Sequence, residues 1–302
     1  MIDLSVIILT HNTCDLTRRC LRSLAAAPAA PYSSEVIVVD NASTDDTIAM
    51  VAQEFPTVRV IANDANEGFA RGNNIGLAAA AGRYLLLLNS DTEVLPGALA
   101  ALVHFMDTHR GAGGAGPMLL NTDGSLQPSG RNLPTPLSVL VDTTKIFRLW
   151  KRDLYRDPRR DYSQVVRVGE ISGAALLVRR ECYHQVGGLD PAFFAYYEDV
   201  DWCKRIGDAG WEIYYVPAAQ VAHLWQGTSR QVSQRAYQAG QESLRYYFHK
   251  HHGPPKLFAV SAMLAGKELL RVVGSLLRRD RAEFAFHIHM LAALFVPPGA
   301  AR

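Results

Sequence analysis

Four cysteines in 302 residues are too few for a disulfide framework. Cys14, Cys20, Cys182 and Cys203 contain no CxxC pair, which excludes a zinc knuckle and a thioredoxin-like site. Spacing alone leaves a Cys14–Cys20 bridge open, but reduced and mostly buried thiols in a cytosolic protein are the expectation. Charge of one sign is equally scarce. Against 31 Lys and Arg stand 29 Asp and Glu, a formal net charge of +2. A dedicated nucleic-acid binder carries a clear basic excess, so nucleic acid is not an expected partner. Long apolar runs are missing too. The longest near the C-terminus, Phe284 to Val296, is broken by His287 and His289 and falls short of the ~20 residues that a bilayer span requires. No basic stretch with an apolar core follows Met1, so no secretory signal is expected. No repeat at solenoid spacing is present.

What the chain does have is apolar substance. Hydrophobic residues make up 48%, enough for one large domain or a domain with an extension. Its first half alternates short apolar runs with helical spacing. Val6–Leu9, Val36–Val39, Val58–Ile61 and Tyr84–Leu88 read as strands. Between and after them, helices are expected over 15–27, from Ser43–Asp46 to Glu54 with a hydroxyl cap, over 69–81 and over 97–109. Strands without polar alternation are buried on both faces, which predicts an α/β fold with a mostly parallel sheet covered by helices. The segment from 121 to 167 is rich in proline and reads as a long irregular excursion. Regular structure resumes at Val168–Val178, followed by a helix over 199–209 and a strand over 212–216. From Gln231 the chain reads as helical, with breaks at Gly253-Pro254-Pro255 and near Asp280.

In such sheets ligands bind beyond the carboxyl ends of the strands. Asp40-Asn41 follows the second strand, where a carboxylate can accept hydrogen bonds from a base or ribose, or else cap a turn. Asn66–Gly76 concentrates Gly and Asn in a helical segment, at a cost in propensity that suggests close backbone approach to a ligand, with Arg71 available to a phosphate. Asn89-Ser90-Asp91 follows the fourth strand. On an extended stretch Asn89 and Asp91 would face one hard divalent cation, which takes most of its remaining oxygens from substrate phosphates. A helix cap before Pro96 is the alternative. Glu198, Asp199 and Asp201 lie beside Phe193, Phe194, Tyr196, Tyr197 and Trp202. On a helix start Glu198 and Asp201 share a face while Asp199 points elsewhere, and a carboxylate kept from water has a raised pKa suited to a general base. His223, in His223-Leu224-Trp225-Gln226-Gly227-Thr228-Ser229-Arg230, follows a strand and could ligate metal or serve the core.

In their order along residues 4 to 230 these segments resemble family 2 glycosyltransferases of the GT-A fold, and within them the bacterial rhamnosyltransferase-like branch that builds cell-surface polysaccharides. The resemblance is carried by Ser5–Asn12, Val39–Asp45, Asn66–Asn74, Leu88–Thr92, Gly188-Leu189-Asp190 with Phe193-Phe194, and Glu198–Asp201. It implies a nucleoside-diphosphate sugar donor (dTDP- or UDP-linked), Mg²⁺ or Mn²⁺, and a glycan or lipid-linked acceptor. Asp40 matches the carboxylate that reads the base, with Thr10 and Asn12 beside it. Asn41, Arg71, Asn74 and Ser90 complete the candidate donor contacts. Asp91 matches the last residue of the DxD metal motif, whose first Asp is here Asn89, and His223 matches a metal-ligating histidine of some relatives. Asp199, with Glu198, matches the element whose Asp deprotonates the acceptor hydroxyl. The implied reaction is a single in-line displacement with inversion. The implied organisation is a catalytic domain over 1–230, with a nucleotide half to about 120 and an acceptor half from about 165, and a helical extension over 231–302.

Two enzyme rivals fail on context. Gly111–Gly116 fits GxGxxG letter for letter but follows a helix and precedes a strand, the reverse of the dinucleotide fingerprint. A nucleotidyltransferase needs a glycine-rich loop after the first strand, and Thr10–Cys14 has no glycine. A non-catalytic carbohydrate-binding or scaffold protein derived from such an enzyme is the alternative that Asn89 keeps open. In the tail, Lys256, Lys267, Arg271, Arg278 and Arg279 beside an apolar stripe suit an anionic membrane surface, which would put a cytoplasmic protein on the inner face of the plasma membrane. A hairpin packed on the catalytic domain or at a homodimer interface is the competing expectation.

Overall fold

The computed structural model describes residues 2–144, 154–155, 160–193, 195–224 and 234–298. Phe194, residues 225–230 and most of the charged run after Lys151 lie outside them. The first half folds as an alternation of β1 (Leu4–Thr10), α1 (Cys14–Ala26), β2 (Ser34–Asp40), α2 (Thr47–Glu54), β3 (Arg59–Ala62), α3 (Gly68–Ala79) and β4 (Tyr84–Asn89). Consecutive side chains of a strand point to opposite faces. On β1, Leu4, Val6 and Ile8 therefore join a core with α1, α2 and α4 (Ala98–Thr108), while Ile7 joins a second core on the other face with α3 and α7 (Glu198–Asp208). On β4, Tyr84, Leu86 and Leu88 divide from Leu85 and Leu87 in the same way. Both faces are covered, as unbroken apolar strands require.

One expected cap is not used. α2 begins at Thr47, whose N–H goes to Asp45 rather than to Ser43 or Thr44. Ser43 is occupied elsewhere: its N–H donates to Asp40 and its hydroxyl accepts from the Asn12 N–H.

The second half adds β5 (Thr92–Val94), β6 (Ala112–Leu120), β7 (Leu126–Gln127), β8 (Gly130–Arg131), α5 (Pro136–Thr144), β9 (Val166–Val168), β10 (Glu170–Ile171), β11 (Ala175–Arg179), α6 (Arg180–Val186) and β12 (Glu212–His223). The main sheet runs β3-β2-β1-β4-β11-β6-β12-β5, with β7 on β6 and β9 on β12. β3, β2, β1, β4, β6 and β12 point one way; β11 and β5 point the other. The stretch from 121 to 167, expected to be irregular, holds β7, β8, α5 and β9. The glycines of Gly111–Gly116 lie in β6 or at its start, which removes a phosphate-binding turn there; a Cβ on Gly116 would sit 2.2 Å from Ile171 Cγ2, so packing accounts for that glycine. β12 runs on to His223, well past its expected end at Val216. Proline withholds a ladder N–H and is tolerated at irregularities. The register of β12 on β6 shifts between Val216 and Gln220, across Pro217, and pairing then resumes from Gln220↔Met118. That extension delivers His223 to the sheet edge.

Two compact units are present. One comprises residues 1–131, 160–191 and 198–230 and contains the sheet. The other comprises 132–159, 192–197 and 231–302, built on α5, α8 (Gln234–Arg278) and α9 (Arg281–Ala293). α8 is kinked where Gly253 leaves helical geometry at φ 73°, just before Pro254-Pro255. Inside this unit the Arg245 guanidinium donates to the carbonyls of Ala293, Leu294 and Val296, satisfying the open end of α9. Buried Glu268 accepts from Tyr237, Gln241 and His287, which ties α8 to itself and to α9.

Candidate active site

The carboxyl ends of β1, β2, β4, β6 and β12 and the amino end of β11 share one edge of the sheet, since Thr10 pairs with Asp40, Leu9 with Asn89, Ala175 with Leu88 and Ala222 with Leu120. On this edge Asp40 is buried. Its Oδ2 accepts the Ser43 N–H at 2.8 Å, while Oδ1 is buried with no partner among the described residues. An unmet carboxylate oxygen inside a protein costs free energy unless a ligand meets it.

The neighbouring candidates divide into ligand-facing and supporting groups. Asn12, in left-handed geometry at φ 53°, joins the loop after β1 to the loop after β2 through Thr44 N–H to Asn12 Oδ1, 2.7 Å. Thr10 is buried, with its hydroxyl bound to Thr13 and Thr17 and its carbonyl to the Asn41 N–H, so its polar groups are used inside the fold. Asn41 is likewise a scaffold: its amide bonds Asn66, Gly68, Asn63 and Glu67 and holds the β3–α3 loop. The Asn74 amide clamps Leu189 from both sides, accepting its N–H (2.9 Å) and donating to its carbonyl (2.8 Å), which explains its place in a helix without any ligand. The glycines of α3 have the same explanation. A Cβ on Gly72 would lie 2.4 Å from Leu9 Cδ1, and one on Gly76 2.3 Å from Ile7 Cγ2, so they bring the helix down onto the sheet. Arg71 is the exposed cation of this helix, with Glu67 at 3.7 Å.

Asn89 ends β4, but Ser90-Asp91 is a turn rather than the extended stretch expected. The Thr92 hydroxyl closes it on the Asn89 carbonyl, and the Leu224 N–H binds the Asp91 carbonyl at 2.8 Å. Asp91 and His223 therefore meet because of strand pairing, not alternation: β12 pairs with β5 at His223↔Thr92, and His223 Nε2 lies 3.3 Å from Asp91 Oδ1. The Ser90 hydroxyl faces Thr13 at 3.3 Å.

Gln127 orients the imidazole. Its Nε2 donates to Asn121, which leaves its Oε1 2.7 Å from His223 Nδ1. Nδ1 thus carries a proton, and Nε2 faces the Asp91 carboxylate. When Nε2 is unprotonated, two electron-rich atoms held that close favour a cation at the pair, and the outer hydrogen bond is the usual support of a ligating histidine. Among the described residues no three His, Cys, Asp or Glu side chains gather around one point. The set that fits is Asp91 and His223, with the Asn89 amide adjacent in sequence and a diphosphate supplying further oxygens. The imidazole makes it better suited to Mn²⁺ than to Mg²⁺.

Asp199 stands across a single peptide link from this turn. Its Oδ2 accepts the Gly173 N–H at 2.8 Å, and the next carbonyl, that of Ala174, accepts the Asn89 N–H at 3.0 Å. Glu198 is buried with Oε2 unpartnered among the described residues, and burial together with the adjacent Asp199 charge pushes it up to about 8. The backbone enters this helix through two successive left-handed residues, Tyr196 and Tyr197, both at φ 67°. Non-glycine residues hold such geometry only where the surroundings impose it, often at functional sites. Asp201 serves the frame instead. It is fully buried and binds Arg205, whose guanidinium also donates to the carbonyls of Val186 and Gly188.

Sequence reasoning misses two supporting residues. Gln127 lies 96 positions from His223, and nothing local in the sequence joins them. Gly173 has a signal, the small-residue turn Ser172-Gly173-Ala174 just before β11.

The sequence model of the glycosyl transferase family 2 matches residues 5–184. The N-acetylglucosaminyl-diphospho-decaprenol L-rhamnosyltransferase of Mycobacterium tuberculosis is 35% identical over 235 residues, which span 73% of this chain and 75% of the relative. The mannosyltransferase PcManGT from Pyrobaculum calidifontis, solved in complex with GDP-Man and Mn²⁺, superposes with a TM-score of 0.56 at 16% identity, over 96% of this chain and 85% of that one. S. aureus TarS 1-349 in complex with UDP-GlcNAc gives 0.58 at 18% identity, over 97% and 80%. These structures share the GT-A arrangement of sheet and helices with this chain. The matched segment runs from β1 through α6 and so contains the sheet edge at which Asp40 and the Asn89–Asp91 turn lie, and with the relative's similarity over most of both lengths it makes the chain a member of glycosyl transferase family 2.

Proposed function

We propose that this glycosyltransferase moves a sugar, L-rhamnose from dTDP-rhamnose, onto a hydroxyl of a lipid-linked acceptor in cell-surface polysaccharide synthesis, with inversion at the anomeric carbon. The observation that supports the reading is the short bridge Asp199–Gly173–Ala174–Asn89, which ties the Asp199 carboxylate through two residues of backbone to the turn where Asp91 meets His223. Asp40 receives the nucleoside through its unmet oxygen, and Arg71 reaches the diphosphate. Asp91 and His223 would hold Mn²⁺ or Mg²⁺, which when bound would offset the charge on the departing diphosphate. Asp199 takes the proton of the acceptor hydroxyl, and the Gly173 N–H keeps its carboxylate aimed. Burial and the neighbouring Asp199 charge raise the Glu198 carboxyl and favour its protonated form at pH 7.

Sugar and acceptor follow the mycobacterial relative, whose name specifies L-rhamnose transfer to a diphospho-decaprenol-linked sugar. An acceptor of that kind places the work at the inner face of the plasma membrane. Catalysis by residues 1–230 with a helical extension over 231–302 is part of the same reading. The test is a donor panel with Mn²⁺, Mg²⁺ or EDTA, scored for released nucleoside diphosphate, run on wild type and Asp199→Asn. The variant is expected to lose at least ~100-fold in turnover while holding the donor within ~3-fold of wild type. Near-normal turnover in Asp199→Asn would remove the base assignment, and turnover undiminished in EDTA would remove the cation.

A further inference from the structure

Among the described residues, the helical unit exposes an apolar stripe that its own packing does not use. In α8 beyond the kink, Val260, Leu264, Glu268, Val272 and Ser275 recur every three or four residues and are buried. On the opposite side Leu269, Leu270, Val273, Leu276 and Leu277 form an exposed stripe over 269–277, with Phe258 exposed three turns earlier; Phe258, Leu270 and Leu277 are between 76 and 82% accessible. Scattered surface leucines need no explanation, but a continuous helical stripe of this size does. Charge indicates what covers it. Between residues 256 and 281 the chain has six basic side chains, Lys256, Lys267, Arg271, Arg278, Arg279 and Arg281, against two acidic ones, Glu268 and Asp280. Glu268 is buried and satisfied inside the unit, and Asp280 caps α9 through the Glu283 N–H. The outward charge of the segment is therefore almost wholly positive. At 100° per residue Lys256, Lys267, Arg271 and Arg278 fall along one flank of the stripe; Lys267 and Arg271 lie over the Tyr237 ring, while Lys256 and Arg278 are exposed. Apolar side chains at the centre with long basic ones at the margin are the arrangement of a helix lying in an anionic lipid interface, aliphatic stems inward and charges at the headgroups. Among the described residues no helix is long and apolar enough to cross a membrane.

We infer that the post-kink part of α8 is a docking surface for anionic membrane, lying in the plane of the interface. This deepens the membrane reading of the proposed function, but it is argued from the helical unit alone and is tested without any acceptor. The experiment is flotation of the full chain with vesicles of pure phosphatidylcholine and of phosphatidylcholine containing phosphatidylglycerol, for wild type, Leu270→Ser/Leu277→Ser and Lys256→Gln/Arg278→Gln, with sedimentation velocity in the absence of lipid. The substituted side chains are on the outer side of the helix, and circular dichroism with thermal melting checks that each variant is folded. Binding to the anionic vesicles is expected, weakened by salt and reduced ~10-fold or more in each double variant, with nucleotide release from the donor in detergent unchanged. Absence of vesicle binding, or equal binding by all three proteins, overturns the proposal. A self-association of wild type abolished in the leucine variant, without vesicle binding, overturns it in favour of a second copy covering the stripe. Vesicle binding by a wild type that shows no donor turnover would support the docking surface and count against the catalytic reading alone.

Discussion

Replacing Glu198 with glutamine puts an isosteric neutral group where the fold already holds a neutral acid. Burial first, and the Asp199 charge second, raise this carboxyl from 4.5 to about 8. The unfolded chain releases its proton near the lower value and the folded chain near the higher one. The stability that the protonated form contributes is thus fully present below pH ~4.5 and drains away as the pH climbs to ~8, after which nothing more is lost. At roughly 1.4 kcal/mol for each tenfold gap in proton affinity, the loss between pH 5 and pH 9 comes to about 3–4 kcal/mol. Glutamine does not titrate, so Glu198→Gln escapes that part of the alkaline decline. The assay is urea unfolding of both proteins at pH 5, 6, 7, 8 and 9, read as the difference between them, so that every other titrating group cancels. The difference is expected to grow in favour of the variant up to pH ~8 and then to level off. A pH-independent difference would mean that Glu198 is ionised in the folded protein at neutral pH, and its reading as a buried protonated acid would have to be abandoned.

Gln127→Leu removes the acceptor of the His223 Nδ1 proton and is expected to weaken Mn²⁺ binding ~10–100-fold, measured as free Mn²⁺ by electron paramagnetic resonance with nucleoside diphosphate present. Gln127→Glu, which keeps an acceptor, should bind at least as well as wild type; equal affinity in all three proteins would refute the orienting role. Gly76→Ala is expected to destabilise the chain by about 1–3 kcal/mol in urea, although alanine is the better helix former by ~1 kcal/mol, because the new methyl group collides with Ile7 and Val39. A stabilised Gly76→Ala would show that α3 does not need its close approach to the sheet.

The strand-and-helix alternation of the first half is legible in the sequence because unbroken apolar runs have one good solution, a sheet covered on both faces. The strand-end rule then locates Asp40 and the Asn89–Asp91 turn. What the sequence does not disclose is which polar residues face a ligand and which hold the frame. Asn41 and Asn74 stand in the same motifs as Asp40 and Arg71, yet their amides are taken up by protein groups tens of residues away, and only tertiary pairing reveals it. For Asp91 and His223 the sequence names two residues that do meet, but not by the expected geometry: alternation is expected to aim Asp91, whereas the continuation of β12 past Pro217 is what brings the histidine there. Gly113, Gly114 and Gly116 show the converse, a phosphate-loop spelling inside a strand.

The Gly173-Ala174 dipeptide has one more implication. On the proposed reading the same short piece of backbone anchors the proton acceptor by its N–H and the cation turn by its carbonyl, so the spacing between the two would be set by backbone hydrogen bonds more than by side-chain choice. Evolving this scaffold toward a bulkier transferred group cannot stretch that spacing without unpairing Asn89 from β11's approach. Adaptation would instead have to come from the outer walls, leaving the gauge between acceptor oxygen and leaving group as it is.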